Sequence, residues 1–87
     1  MITVYSKPDC QQCRATKRLL ERLGAPFNVV DVTEDRDAAE YLENLGYKSV
    51  PVVIVEKRTG IDHWFGYRPD SLKRAAGDSA TSYKERA

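Results

Sequence analysis

Hydrophobic positions along the chain alternate between a strand period and a helix period, and the switches mark out its elements. Ile2-Thr3-Val4-Tyr5 is a β-branched and aromatic run stopped by Lys7-Pro8-Asp9, which predicts a first strand over 2–5. From Cys13 onward Ala15, Leu19, Leu20 and Leu23 recur at helical spacing, with Arg14, Lys17, Arg18, Glu21 and Arg22 on the opposite side. Gly24 stands where a C-terminal cap belongs and Pro26 blocks continuation, so this helix should cover about 13–23. Phe27-Asn28-Val29-Val30-Asp31-Val32 then reads as a largely buried strand, and a right-handed crossover would lay it parallel to the first.

The second half repeats the idea and then departs from it. Thr33-Glu34-Asp35 supplies capping side chains for a helix whose core face is Ala38, Tyr41, Leu42 and Leu45, closed by Gly46. In Val50-Pro51-Val52-Val53-Ile54-Val55 the proline would delete a ladder donor in mid-sheet, so the strand must start near Val52. Glu56 to Gly60 looks like a hairpin connection to Ile61-Asp62-His63-Trp64, making the last two strands antiparallel. Phe65-Gly66-Tyr67-Arg68 is an aromatic loop, and Pro69 suits the first turn of a third helix ending near Ala76. Residues 77–87 carry no apolar period and read as a flexible C-terminal tail behind a single domain over 1–76. Tyr5, Phe27 and Tyr41 are expected in the core.

Composition narrows the function. The chain's 87 residues suit one modest core, and a net charge of +1 with no basic stripe gives nucleic acid nothing to select. No window approaches membrane-spanning length, and the opening residues lack a signal-peptide apolar region, so the expected location is the cytoplasm. The chain has just two cysteines, in Cys10-Gln11-Gln12-Cys13, at the predicted turn from strand to helix. A reducing cytosol disfavours a permanent staple there, and a CxxC beside a βαβ pattern points to redox chemistry. A tetrahedral metal site needs more ligands than this pair and the lone His63, which the pattern places half-exposed on the fourth strand.

Only a thiolate attacks a disulfide, and a free cysteine with a pKa near ~8.5 is mostly protonated at neutral pH. Backbone N–H groups at a helix start, the nearby Lys7 and a Cys13 S–H would all favour a Cys10 anion, while Asp9 would oppose it. The spacing therefore assigns attack to Cys10 and resolution of the mixed disulfide to Cys13, nearer the helix interior. The order β-α-β-α-β-β-α with this motif at its first βα turn corresponds to an α/β thioredoxin fold, a four-stranded mixed sheet flanked by three helices.

At these residues the sequence resembles the glutaredoxins, and among them the NrdH-redoxins. Val4-Tyr5-Ser6-Lys7-Pro8-Asp9-Cys10 is similar to the glutaredoxin lead-in, and Val50-Pro51-Val52-Val53 to the family's cis-proline segment. Gln12 matches the NrdH-redoxin active site, whereas Gln11 replaces its variable apolar residue. Trp64-Phe65-Gly66-Tyr67-Arg68-Pro69 is similar to the family's Trp-Ser-Gly-Phe-Arg-Pro stretch, and the Gly-Gly pair with its acidic residue that helps hold glutathione is missing. The expected state is a monomer, and the resemblance implies a dithiol electron carrier with no bound cofactor beyond its redox-active disulfide Cys10–Cys13. It would draw electrons ultimately from NADPH through thioredoxin reductase and deliver them to a class Ib ribonucleotide reductase. It also implies a cis Val50–Pro51 bond, with the Val50 backbone open to an extended substrate. Trp64 would be mainly core and Arg68 would tie down its loop. Phe65 and Tyr67 would stand partly exposed beside the site. The competing readings are a glutathione-coupled glutaredoxin, a general protein disulfide reductase, and a non-catalytic binding module that would keep its function without Cys10 and Cys13.

Overall fold

A computed structural model describes residues 1–86, with side chains through Gly77. Its elements are β1 (Ile2–Ser6), α1 (Gln11–Arg22), β2 (Asn28–Asp31), α2 (Arg36–Asn44), β3 (Val52–Lys57), β4 (Gly60–Phe65) and α3 (Pro69–Arg86). The strands form one sheet in the order β2-β1-β3-β4, with β2 parallel to β1, and β1–β3 and β3–β4 antiparallel. This is the thioredoxin fold expected from the sequence, in the expected element order.

Strand alternation sorts the core into two layers. Ile2, Val4, Val53 and Val55 point to one face and meet Leu20 of α1 with Leu72, Ala75 and Ala76 of α3, and Leu19, Phe27 and Trp64 close the edges. Val52 and Ile54 point to the other face and meet Leu42 of α2, flanked by Tyr5, Val32, Tyr47 and Val50. Because Tyr5 pairs with Val52 and Val52 with Phe65, the end of the sheet that carries the β1–α1 turn also carries the start of β3 and the end of β4.

Several boundaries differ from the pattern. The first helix begins at Gln11, because the Cys10 side chain already acts as its N-cap, so the turn is tighter than the apolar period could reveal. The apolar run expected as a buried strand shrinks to Asn28–Asp31 and lies at the sheet edge, with Val29 47% exposed, since neither layer of helices extends fully over β2. Tyr41 is 39% exposed rather than core, resting its ring 6.4 Å from that of Tyr5, while Leu45 is exposed too; in this short helix only Leu42 is fully buried. Asp35 is the N-cap of that helix, accepting from the Ala38 N–H at 3.0 Å. The hairpin closes through Arg58-Thr59 alone, with Lys57 paired to Gly60. Helix α3 runs on past Ala76, and beyond Gly77 the expected tail over 77–87 falls on residues whose side chains, and at Ala87 the backbone, lie outside the described set.

Candidate active site

The loop Lys7-Pro8-Asp9 ends with Asp9 in the left-handed region (φ 59°), a conformation Asp tolerates better than most residues. That reversal delivers Cys10, in extended conformation, to the N-cap of α1, where its sulfur accepts the Cys13 N–H at 3.1 Å. The first turn carries no acidic residue and the last turn carries Arg22, so the positive end of the helix dipole faces the sulfur unopposed from within the helix. Cys10 and Cys13 are joined as a disulfide, with Cα atoms 5.2 Å apart, within the span such a bridge takes. The two differ in access. Cys13 is 1% exposed, whereas Cys10 is only half-buried. One turn on, the buried Thr16 hydroxyl donates to the Gln12 carbonyl at 2.8 Å, which satisfies it without an outside partner.

Two further segments, Val50–Pro51 and Phe65–Arg68, close around the pair. The Val50–Pro51 bond is cis, Pro51 is fully buried, and the Val50 carbonyl oxygen lies 4.0 Å from the Cys10 sulfur. With the bridge formed that sulfur has no proton to donate, but after reduction its thiol is placed to donate to this oxygen. The Pro51 carbonyl accepts the Gly66 N–H at 2.8 Å. Gly66 sits at φ 90°, a region other residues rarely adopt, and turns the chain out of β4. The Tyr67 N–H then reaches back to the Gln12 side-chain oxygen at 3.3 Å. Arg68 Nε donates to the Phe65 carbonyl at 3.3 Å, within the same loop.

The remaining sequence candidates differ in exposure and direction. Lys7 and Gln11 are exposed, and Lys7 lines a cavity of about 550 Å³ together with Val32, Leu42, Tyr47 and Val50. Phe65 and Tyr67 are 42% and 39% exposed on either side of Gly66, and Trp64 is turned the other way, against the α1/α3 layer. The Trp64 indole N–H is buried with no acceptor among the described residues, so packing rather than hydrogen bonding holds it. His63 lies on β4 as expected but is exposed, and its Nδ1 bonds the Tyr47 hydroxyl at 2.6 Å with the rings edge to face. That pair is invisible in the sequence, because nothing in the spacing of residues 47 and 63 announces a contact through tertiary structure. Among the described residues no three His, Cys, Asp or Glu side chains gather as a metal site would need. The redox group at this site is the cysteine pair itself, and thiol–disulfide exchange is the chemistry its geometry performs.

Comparison with known proteins points the same way. The glutaredoxin family profile matches residues 2–59. The glutaredoxin-like protein NrdH of Escherichia coli K12 is 42% identical over 73 residues, covering 84% of this chain and 85% of that protein. A gene 56 protein of Mycobacterium phage L5 is 39% identical over 72 residues, covering 82% of this chain and 67% of that one. The solved structure of the Escherichia coli NrdH-redoxin, described for its thioredoxin-like activity profile, superposes with a TM-score of 0.76 at 41% identity, covering 84% of this chain and 91% of that one.

Proposed function

This chain belongs to the glutaredoxin family, in its NrdH-redoxin branch, and is a dithiol–disulfide oxidoreductase; from that premise we propose the circuit in which it works. Thioredoxin reductase reduces the Cys10–Cys13 disulfide with electrons from NADPH, and the dithiol passes them to a class Ib ribonucleotide reductase in the cytoplasm. The observation that carries this reading is the stretch Trp64–Pro69, held against the dithiol turn through Gln12 and Pro51. It stands where glutathione-using relatives carry their Gly-Gly and acidic residue. The thioredoxin-like activity profile of the Escherichia coli NrdH-redoxin supports the same assignment.

In this cycle the Cys10 thiolate, favoured by the helix N-terminus and the Cys13 N–H, attacks one sulfur of the partner disulfide. A Cys10–partner disulfide forms, and the partner's other sulfur leaves as a thiolate and takes up a proton. Cys13, buried beneath Cys10, loses its proton and attacks the Cys10 sulfur, so the partner's second thiol is released. Two thiols of this protein have become one disulfide and one partner disulfide has become two thiols. During the mixed-disulfide stage an extended partner segment lies along the Val50 backbone, with Lys7, Gln11, Phe65 and Tyr67 as the side chains it meets.

Two measurements test this. NADPH oxidation in the presence of a small disulfide should proceed when thioredoxin reductase is supplied and fail with glutathione plus glutathione reductase; activity in the second arm alone would overturn the circuit. Cys13→Ser should accumulate a covalent adduct with the reductase subunit it serves and Cys10→Ser none, and the opposite pattern would exchange the two roles.

A further inference from the structure

Gln12 is an exposed residue in the middle of the dithiol turn, yet its side chain reaches a backbone group 55 positions away in sequence. An amide oxygen, not the amide nitrogen, must face the Tyr67 N–H, since only the oxygen accepts. The same oxygen lies 3.5 Å from where a Cβ on Gly66 would be, so it rests on the bare face of that glycine. A closed ring of contacts results. It runs from the Cys10 sulfur to the Val50 carbonyl (4.0 Å), through the cis bond to Pro51, across to the Gly66 N–H (2.8 Å), along to Tyr67, and back to Gln12 (3.3 Å), two residues from Cys10. Two links of this ring are made by side chains. One is the reacting sulfur, so the Gln12 amide is the link a substitution can cut without touching the thiol.

The ring has unequal value to different acceptors. A small disulfide needs only the half-buried Cys10 sulfur. A disulfide carried by a protein must also bring its backbone to Val50 and cover Phe65 and Tyr67, the exposed rings on either side of Gly66. Between those rings, Pro51 holds the Gly66 N–H and Gln12 the Tyr67 N–H. We infer that Gln12 is a positioning residue that sets this protein's preference for protein-borne disulfides over small ones, by fixing the Gly66–Tyr67 backbone against the dithiol turn. The inference rests on the dithiol–disulfide activity and not on which reductase or acceptor serves it in the cell.

The test uses chemically reduced protein, freed of reductant and mixed in single-turnover mode with insulin or with hydroxyethyl disulfide. Gln12→Met keeps the length and removes the strong acceptor; its rate with insulin should fall about fivefold while the rate with the small disulfide holds, the size expected for one exposed backbone-to-side-chain bond. Hydrogen exchange at the Tyr67 amide, followed by NMR, should accelerate in parallel. Gln12→Glu keeps an acceptor oxygen, so it should restore the ratio of the two rates even where its charge moves both. Equal loss with the two disulfides, an unchanged ratio, an unchanged Tyr67 amide, or failure of Gln12→Glu to restore the ratio would each overturn the assignment.

Discussion

The two faces of the sheet are built to different standards. On the α1/α3 side nine buried residues form one cluster, with Leu19, Phe27 and Trp64 sealing its margin. On the α2 side the buried cluster among the described residues is Leu42, Val52 and Ile54, and a cavity opens beside them toward Lys7 and Val50. Both faces come from the same alternating strands, so the difference lies in the covering helices. Helix α2 contributes one fully buried residue, whereas α1 and α3 meet each other as well as the sheet. The thick layer holds the fold. The thin layer leaves surface free at the end where Cys10, Val50 and Phe65 converge, and a carrier that must dock and release needs such surface.

This contrast can be broken most severely from the thick side. Leu72→Ala, at a fully buried position, should cost about 3–4 kcal/mol in urea unfolding, whereas Leu42→Ala should cost nearer ~2 kcal/mol because the open cavity beside it lets neighbours and water relax into the gap. Equal costs would mean that the two layers share the load. Gly66→Ala should cost about 1–2 kcal/mol from its left-handed backbone, and the remaining folded protein should turn over protein disulfides more slowly, which Leu72→Ala should not. Tyr47→Phe removes the hydroxyl from an exposed bond to His63 and should shift stability by no more than ~1 kcal/mol, placing the pair on the lightly built face where little depends on it.

A smaller effect belongs to the edge strand. The Thr33 hydroxyl and then its backbone N–H hold the Asp31 carboxyl below the usual carboxylate range. A folded-state pKa lower than the unfolded one stabilises at pH above the unfolded value of about 3.9, and the contribution fades as pH falls through the folded value. Thr33→Val keeps the N–H and loses the hydroxyl, so the carboxyl should titrate nearer its ordinary range and the acid side of the stability profile should become shallower. An unchanged profile would detach Asp31 from Thr33.

The same contrast explains how much of the molecule is legible in its sequence. Periodicity locates every element, and the strand start at Val52 follows from the missing N–H of Pro51. Cys10 and Cys13 are legible because their spacing is itself the chemistry. Where the pattern misleads, cover is at issue. The Phe27–Val32 run has the composition of a buried strand, but apolar composition does not say whether a strand lies in the middle of a sheet or at its rim. Tyr41 and Leu45 sit at proper helical spacing, yet a helix as short as α2 turns only part of that stripe inward. The link from Gln12 to Tyr67 is hidden for another reason. It joins a side chain to a backbone amide, which any residue but proline would have offered.

The tight Arg58-Thr59 hairpin has a practical consequence. It caps β3 at Lys57, while the cysteines sit beyond Val52 at the other end of the same strand, so roughly 17 Å of sheet separates them. A cysteine-free tether, a biotin acceptor peptide or an electrode linker attached at residues 58–59 would anchor the molecule with its dithiol pointing away from the support. In that orientation electron delivery from a surface-bound carrier becomes measurable one partner at a time.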